Sequence, residues 1–551
     1  MPFEAKAKIA DNKLCMPDNH TATFENISLS SFNFHVGILI FAPFLNKLSG
    51  AGLGFIRQWL VSVLLGCHNI EQNKKLNYTS LNQLIGVMPK TLRTQRSLLK
   101  EAATGYNTGQ VLKFNAALVG VSKQSDFYYD PHTKHYAGQL KILSTWCPSV
   151  RLADKGINMD YIHTTSGQPV YFNTTDNFYD LRERFNPNIE GFRSLCGFDQ
   201  EQVLTFVVDR GIYSLDVFKD IIDSPNLHIV TWQKGYANDK WDKEAWHGKG
   251  SIVRDKNKKD DPQLLHYIYQ EKTWDKEPGM RQIIVRVLDK KWNVQIELSI
   301  VTDDKDRDAI EIISLMLSRW VQENDFKYMI KHFGLNQITT YAFTDYRALR
   351  DKIEDKIYIC SHHKALTKEI GKVRAKLKTA LLDKYGFDQK HNKTDKQLPK
   401  KEQERKIRID TRVDTLNKAL IKLIKERSET PKFVSKLDEL IEHNIVKLDT
   451  DTKSFMDAIK VLARNMFYIA LHPFKEKYNN YRDDHVLFRH LTLSGGTITE
   501  NKNGYKIMLQ PQMEYQPKVK KIIGQLLDEI NATSPKMPND SRANIELGLK
   551  L

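Results

Sequence analysis

At 551 residues the chain is several times longer than one hydrophobic core supports, which predicts about three or four folded units rather than a single small module. Hydrophobic residues make up 41% and charged residues 27%, and Gly and Pro number only 27 and 18, which excludes wholesale disorder, collagen-like repeats and a polytopic membrane protein. The 83 Lys and Arg outnumber the 67 Asp and Glu, giving a net charge of +16 that points to a polyanionic partner, nucleic acid ahead of an anionic membrane surface.

Residues 1–29 form an N-terminal extension that lacks the basic start, apolar core and small-residue cleavage site of a secretory signal. The longest apolar runs, Ile38–Leu45 and Trp59–Leu65, fall short of the ~20 residues of a membrane span. The five cysteines show no disulfide or zinc-ribbon spacing. Together these predict a cytoplasmic protein with no membrane partner. Residues 30–115 read as a helical, DNA-binding domain, in which Phe55, Trp59 and Val63 recur every four positions and require a packing partner. A short helix capped by Thr79 or Ser80 leads through VMPK into KTLRTQRSLLKEAA, with Pro89 at the helix start. On that second helix Lys90, Arg93, Arg96 and Lys100 fall within an arc of about 120°. Such a face suits a DNA groove, and it equally suits a solvated surface.

Residues 120–225 alternate short β-rich runs with helical segments and read as the first part of an α/β core. Residues 226–303 form a β-rich insertion, where Val294, Ile296, Leu298 and Ile300 alternate with polar positions, predicting a strand with one wet face. Trp232, Trp241, Trp246, Trp274 and Trp292 lie here among cations, placed either to fill the sheet's core or to stack bases. A single helix over AIEIISLMLSRWVQENDFKYMIKHFG opens the second part of the core, 304–362. Residues 363–450 are charge-dense, with a narrow stripe at Val413, Leu416, Leu420 and Leu423 that predicts a helical hairpin or coiled coil. The C-terminal unit, 451–536, carries a buried stripe at Phe455, Ile459, Leu462, Met466 and Ile469 and a hairpin over GGTITENKNGYKIMLQ, and 537–551 reads as a flexible tail.

Two motifs carry chemistry. VLTFVVDRG reads as a buried strand ending in Asp209, at the strand end where open α/β sheets bind ligands. In SRWVQENDFKYMIKHFG, Arg319 and Glu323 stand four residues apart, on one helix face. A strand-ending Asp-Arg-Gly, a β-rich insertion and a helix with Arg-Trp-x-x-Glu-x-x-Phe-Lys, in that order, resemble the DDE transposases of bacterial insertion sequences, over residues 125 to 345. The resemblance implies a ribonuclease H-like core with two aspartates on neighbouring strands and a glutamate on a following helix, Asp209 being the second carboxylate and Glu323 the third. For the first, Asp130 in SDFYYDPHTKHYAG fits an Asp–turn–Tyr–x–Gly pattern, with Asp126 and Asp160 as rivals. In the family's Tyr-x2-Arg-x3-Glu-x6-Lys signature, Met316 and Ile330 replace the tyrosine and the lysine, leaving Lys327 or Lys331 for the latter's phosphate contact.

What the resemblance implies is metal-dependent cleavage and strand transfer of DNA. Two Mg2+ ions, with Mn2+ able to substitute, would sit about 3.5–4 Å apart on Asp130, Asp209 and Glu323, an all-oxygen donor set suited to hard cations. Arg210, Arg319 and Lys327 or Lys331 would hold phosphates. The partners would be the element's terminal repeats and a target duplex. A dimer is expected on DNA, because one site holds one scissile phosphate whereas two ends must be cut. A nuclease without strand transfer, or an inactive DNA-binding descendant, are the alternatives.

Overall fold

The computed structural model describes residues 32–550 apart from 87, 89–90, 148–150, 176–178, 238–240, 254–263, 338–341, 351–356, 392–398, 443, 479–482 and 502–503. The N-terminal extension and Lys90 therefore lie outside the described residues. The chain divides into two compact units, one of Met1–Ala137, Ser144–Thr340 and Asp449–Leu551, the other of Gly138–Leu143 and Tyr341–Leu448. The class is mixed α/β.

In the first unit β1 (Phe32–Asn33) precedes five helices: α1 (Ala42–Gly50), α2 (Arg57–Leu64), α3 (Tyr78–Ile85), α4 (Leu92–Ala102) and α5 (Gly105–Val119). The caps differ from expectation. Asn77, not Thr79 or Ser80, caps α3 by accepting the Ser80 N–H at 2.9 Å. Thr91 caps α4 by accepting the Thr94 N–H at 3.1 Å, so α4 starts beyond Pro89.

A ten-stranded sheet follows, built from β2 (Asp126–His135), β3 (Ser144–Cys147), β4 (Leu152–Thr164), β5 (Pro169–Thr175), β6 (Leu204–Val208), β7 (Leu227–Trp232), β8 (Gly248–Val253), β9 (Leu264–Thr273), β10 (Arg281–Leu288) and β11 (Val294–Thr302). Helix α6 (Leu181–Cys196) links β5 to β6, and α7 (Leu215–Ile222) links β6 to β7. The order is β3-β4-β2-β6-β7-β11-β10-β9-β8, with β5 also on β4. Only β2–β6 and β6–β7 pair in parallel, so β6, flanked by parallel partners, reads as the unbroken apolar run LTFVV with all five residues buried.

The inserted strands extend this sheet, because the end of β11 pairs antiparallel with β7 through Ile300↔Trp232. The wet face expected on β11 is corrected. Val294 and Ile296 are exposed while Glu297 and Ser299 are buried, since Arg286 on the neighbouring β10 bonds Glu297 at 2.7 Å and Gln282 bonds Ser299 at 3.0 Å. The single helix expected after β11 is two, α8 (Ala309–Leu317) and α9 (Trp320–Phe333), broken at Ser318 and Arg319.

The second unit holds β12 (Phe343–Asp345), β13 (Ile357–Ile359), the long helices α10 (Ser361–His391) and α11 (Lys400–Glu429), then β14 (Phe433–Ser435), α12 (Lys436–Glu442) and β15 (Val446–Leu448). Ion pairs Arg412–Asp383, Lys384–Asp410 and His391–Glu402 show that α10 and α11 run antiparallel. The Val413, Leu416, Leu420 and Leu423 stripe is half-buried on the inner side of this hairpin.

The chain returns to the first unit with α13 (Asp451–Lys477), α14 (Asp484–Thr492), β16 (Gly495–Asn501), β17 (Gly504–Gln510), α15 (Pro517–Ala532) and β18 (Asn544–Leu549). Phe455 of α13 stacks on Phe55 and meets Trp59 edge-on, so the N-terminal stripe finds its partner here. The C-terminal residues expected to be loose instead form β18, which pairs parallel to β17 and buries Ile545 and Leu547.

Candidate active site

The parallel ladder between β2 and β6 ends at Tyr129↔Val208, which sets Asp130 and Asp209 side by side where the two strands part. Asp209 accepts the Arg210 N–H at 2.8 Å and opens the short turn Arg210–Ile212. Glu323 lies in the first turn of α9, the end where a helix dipole favours negative charge. Asp130 accepts a hydrogen bond from the Arg319 guanidinium at 2.8 Å and keeps 20% of its side chain exposed. Burial pushes its carboxyl up to about 7; the Arg319 charge opposes this, while the charges of Asp209 and Glu323 add to it. Asp130 therefore feels the charges of both Asp209 and Glu323.

The rival aspartates are engaged elsewhere. Asp126, at the start of β2, bonds Arg307 at 2.7 Å. Asp160 on β4 is fully buried, held by Arg184 at 3.2 Å and Asn188 at 3.0 Å. Arg210, Lys327 and Lys331 are exposed, and Glu323, Lys327 and Lys331 follow one another every four residues along one edge of α9. Arg319 faces Asp130 here rather than standing free for a phosphate. Met316 is buried in the apolar cluster beneath the sheet with Ile312 and Ile313.

Among the basic face of α4, Arg93, Arg96 and Lys100 are exposed while Gln95, Leu98 and Leu99 are buried, and Arg96 pairs with Glu71. These residues stand on a different element from the carboxylates. The tryptophans differ in burial: Trp274 is buried, Trp241 lies under Arg286 at 4.5 Å, and Trp246 and Trp292 are 72% and 62% exposed.

A group of charged side chains that periodicity concealed anchors α9. Lys134 on β2 and Lys453 and Lys460 on α13 surround Asp457, and all four are fully buried. Lys453 donates to the Leu335 carbonyl and Lys460 to the Gly334 carbonyl, both at 2.8 Å, which satisfies the C-terminal end of α9. Nearer the start of α9, Asp325 receives Arg464 at 2.6 Å and faces His163 at 3.3 Å. Phe326 stacks on His132 of β2 at 4.7 Å. Gly167, with φ 85°, lets the β4–β5 turn approach Val321 so closely that a Cβ would collide with it. The helix carrying Glu323 is thus fixed against the strand carrying Asp130. The four-residue spacing of Lys453 and Asp457 was the available signal, and an apolar-stripe reading assigns those positions to solvent.

Among the described residues no three His, Cys, Asp or Glu side chains converge closely enough to cage an ion alone. Mg2+ does not require such a cage, because it keeps several waters and binds through one or two carboxylates together with substrate phosphates. An all-carboxylate set with adjacent exposed cations fits that mode. Among the described residues no helix is long and apolar enough to cross a membrane.

Residues 197–547 match the family model described as "Transposase protein", more than half of the chain, and the chain belongs to that family. Among solved structures it is similar to the cryo-EM structure of the piggyBac transposase synaptic complex with hairpin DNA, at 9% identity and a TM-score of 0.28, over 55% of this chain and 61% of that one. The chain thus spans less than two thirds of that transposase. No curated protein matches it.

Proposed function

We propose that this chain is the DNA transposase of a mobile insertion element, which binds the element's ends, cuts a strand and joins it to a target through a DDE site of Asp130, Asp209 and Glu323. One observation carries the reading. Asp209 follows the end of β6, Asp130 stands beside it in the middle of β2 where the parallel ladder between the two strands stops, and a helix-borne glutamate acts electrostatically on Asp130. The order β5-β4-β2-β6-β7, antiparallel up to β2 and parallel beyond it, supports a ribonuclease H-like core.

Asp130, Asp209 and Glu323 would hold the divalent ions, which when bound supply activation of the attacking oxygen and neutralisation of charge on the phosphate. Asp130 must give up its contact with Arg319 to serve as such a ligand. That exchange frees the guanidinium for a phosphate oxygen, so carboxylate and cation are delivered together. Arg210 flanks the same strand end, and Lys327 and Lys331 extend the cationic edge along α9 to guide the backbone. The anchors under α9 keep Glu323 in place while the substrate is exchanged.

The test is nicking of a supercoiled plasmid bearing the element ends, with Mg2+ against EDTA, for wild type, Asp209→Asn and Glu323→Gln. Each variant should lose cleavage by about a thousandfold or more while still binding DNA, because each removes charge stabilisation in the transition state. Wild-type cleavage in either variant sinks the assignment. Cleavage without joining identifies a nuclease instead.

A further inference from the structure

The excess positive charge is concentrated in the helical hairpin of the second unit. Helices α10 and α11 carry 18 Lys and Arg against nine Asp and Glu, a net +9 in 61 residues of a chain whose total is +16. On α10, Lys364, Lys368, Lys372 and Lys376 recur every four residues. Like charges at that spacing destabilise a helix in water, and a polyanion bound along the edge would relieve the repulsion. Glu369 lies within this row. Its carboxyl is held below the usual range first by the Lys372 hydrogen bond, then by the charges of Lys372, Lys376 and Lys368, which places all three cations around it.

At 100° per residue, α11 carries a matching edge at Arg405, Arg408 and Arg412. The ion pair Arg412–Asp383 at 3.6 Å marks this side of the seam on both helices, and Lys384–Asp410 at 2.7 Å marks the other. The lysine row of α10 and the arginine edge of α11 therefore share one face. The lysine row lies toward the start of α10 and the arginine edge toward the start of α11, so in an antiparallel pair they together cover the length of the hairpin. Each helix is about 45 Å long at 1.5 Å per residue, the span of about 13 base pairs of duplex. The inner faces of both helices are occupied by the hairpin's own seam, with Leu366, Ile370, Ala380 and Phe387 buried on α10, so the basic edge remains available.

We infer that this face is a duplex-binding surface, which lies along the sugar-phosphate backbone and grips DNA without reading bases. The inference rests on the transposase reading for the nature of the polyanion, and it assigns this partner to the hairpin independently of the carboxylates. Regular rows of exposed cations suit phosphate contact, which positions DNA and carries no sequence information.

The experiment measures full-length protein binding to a random 40-base-pair duplex by fluorescence anisotropy across a salt series. Lys368, Lys372, Lys376 and Arg408 are replaced together by Gln, which keeps helix propensity. The slope of log K against log salt should fall by about 0.9 for each phosphate no longer neutralised, and affinity at low salt by roughly tenfold or more. A parallel variant with the three lysines changed to Arg should keep the wild-type slope, separating loss of charge from loss of fold. An unchanged slope in the Gln variant overturns the proposal, as do equal losses in the Gln and Arg variants or tighter binding of a single strand of the same length. Wild-type protein that binds through the hairpin yet never cuts DNA would sink the catalytic reading and leave this one standing.

Discussion

The two units of the chain use charge in opposite ways. In the sheet-centred unit, Lys134, Lys453, Lys460 and Asp457 are fully buried and tie a strand, a helix end and a second helix to one another. In the hairpin unit, the ion pairs Lys384–Asp410, Arg412–Asp383 and Lys418–Asp414 all lie on solvent-exposed surface. Buried charges cost several kcal/mol to desolvate and persist only where geometry compensates them, whereas exposed charges contribute little to stability and are free to bind a partner. Total charge therefore says little about function until each cation is placed inside or outside a core.

The sharpest way to break this comparison is Asp457→Asn. It leaves three buried lysines around a neutral amide, and breaking a buried network in this way should cost about 3–5 kcal/mol. The measurement is urea unfolding followed by tryptophan fluorescence, because all eight tryptophans belong to the sheet-centred unit. A cost below about 1 kcal/mol would show that the cluster is no tighter than a surface pair. Next in size is Phe455→Ala, which removes a fully buried ring stacked against Phe55 and Trp59 and should cost roughly 3–5 kcal/mol, less if the site collapses.

Acid should also act on the sheet-centred unit. Burial pushes His132 and His332 down to about 4 and lowers His163, so all three stay neutral in the folded chain at pH values where the unfolded chain is protonated. The unfolded state then binds more protons between pH 6.5 and about 4, and stability falls as pH drops through that window. His228, raised by its hydrogen bond to Asp303, acts in the opposite sense: its contribution is present below pH 6.5 and is lost as pH rises through its raised value. Burial lowers His35 and His68 as well, while the carboxyls of Asp130, at about 7, and Asp160 are raised and act in the same sense as His228; five lowered imidazoles outweigh these three raised groups. The tryptophan-detected urea midpoint should therefore be lower at pH 5 than at pH 7.5, and an equal or higher midpoint would refute the balance.

The two units also differ in how far the sequence reveals them. The apolar stripe of α11 and its charge density announced a hairpin, because a two-helix coil is specified by local periodicity. The β6 run ending in Asp209 was legible for the same reason, since a strand buried on both faces is continuously apolar. The break between α8 and α9 was not, because SRW is compatible with a continuing helix and only tertiary packing interrupts it. Nor was the burial of Lys453, Asp457 and Lys460, since α13 is surrounded on all sides and its polar face has no solvent to meet. Nor was the burial of Asp160 on β4, where it is turned into an internal pair with Arg184.

The smallest expected effect completes the contrast. Asp410→Asn removes the partner of Lys384 on the hairpin seam, where both side chains keep about two fifths of their surface exposed. Water solvates either charge when the other is absent, and fixing two long side chains costs entropy, so the loss should stay within about 1 kcal/mol. Tryptophan fluorescence is blind to this unit, so the readout is helix content by far-UV circular dichroism through thermal unfolding. The same substitution makes the hairpin more positive. If the hairpin binds phosphates, duplex affinity should hold or rise slightly at low salt even as the helices lose a little stability. A fall in both would mean that the pair orders the binding face itself, and the division between structural charges inside and binding charges outside would no longer hold for this chain.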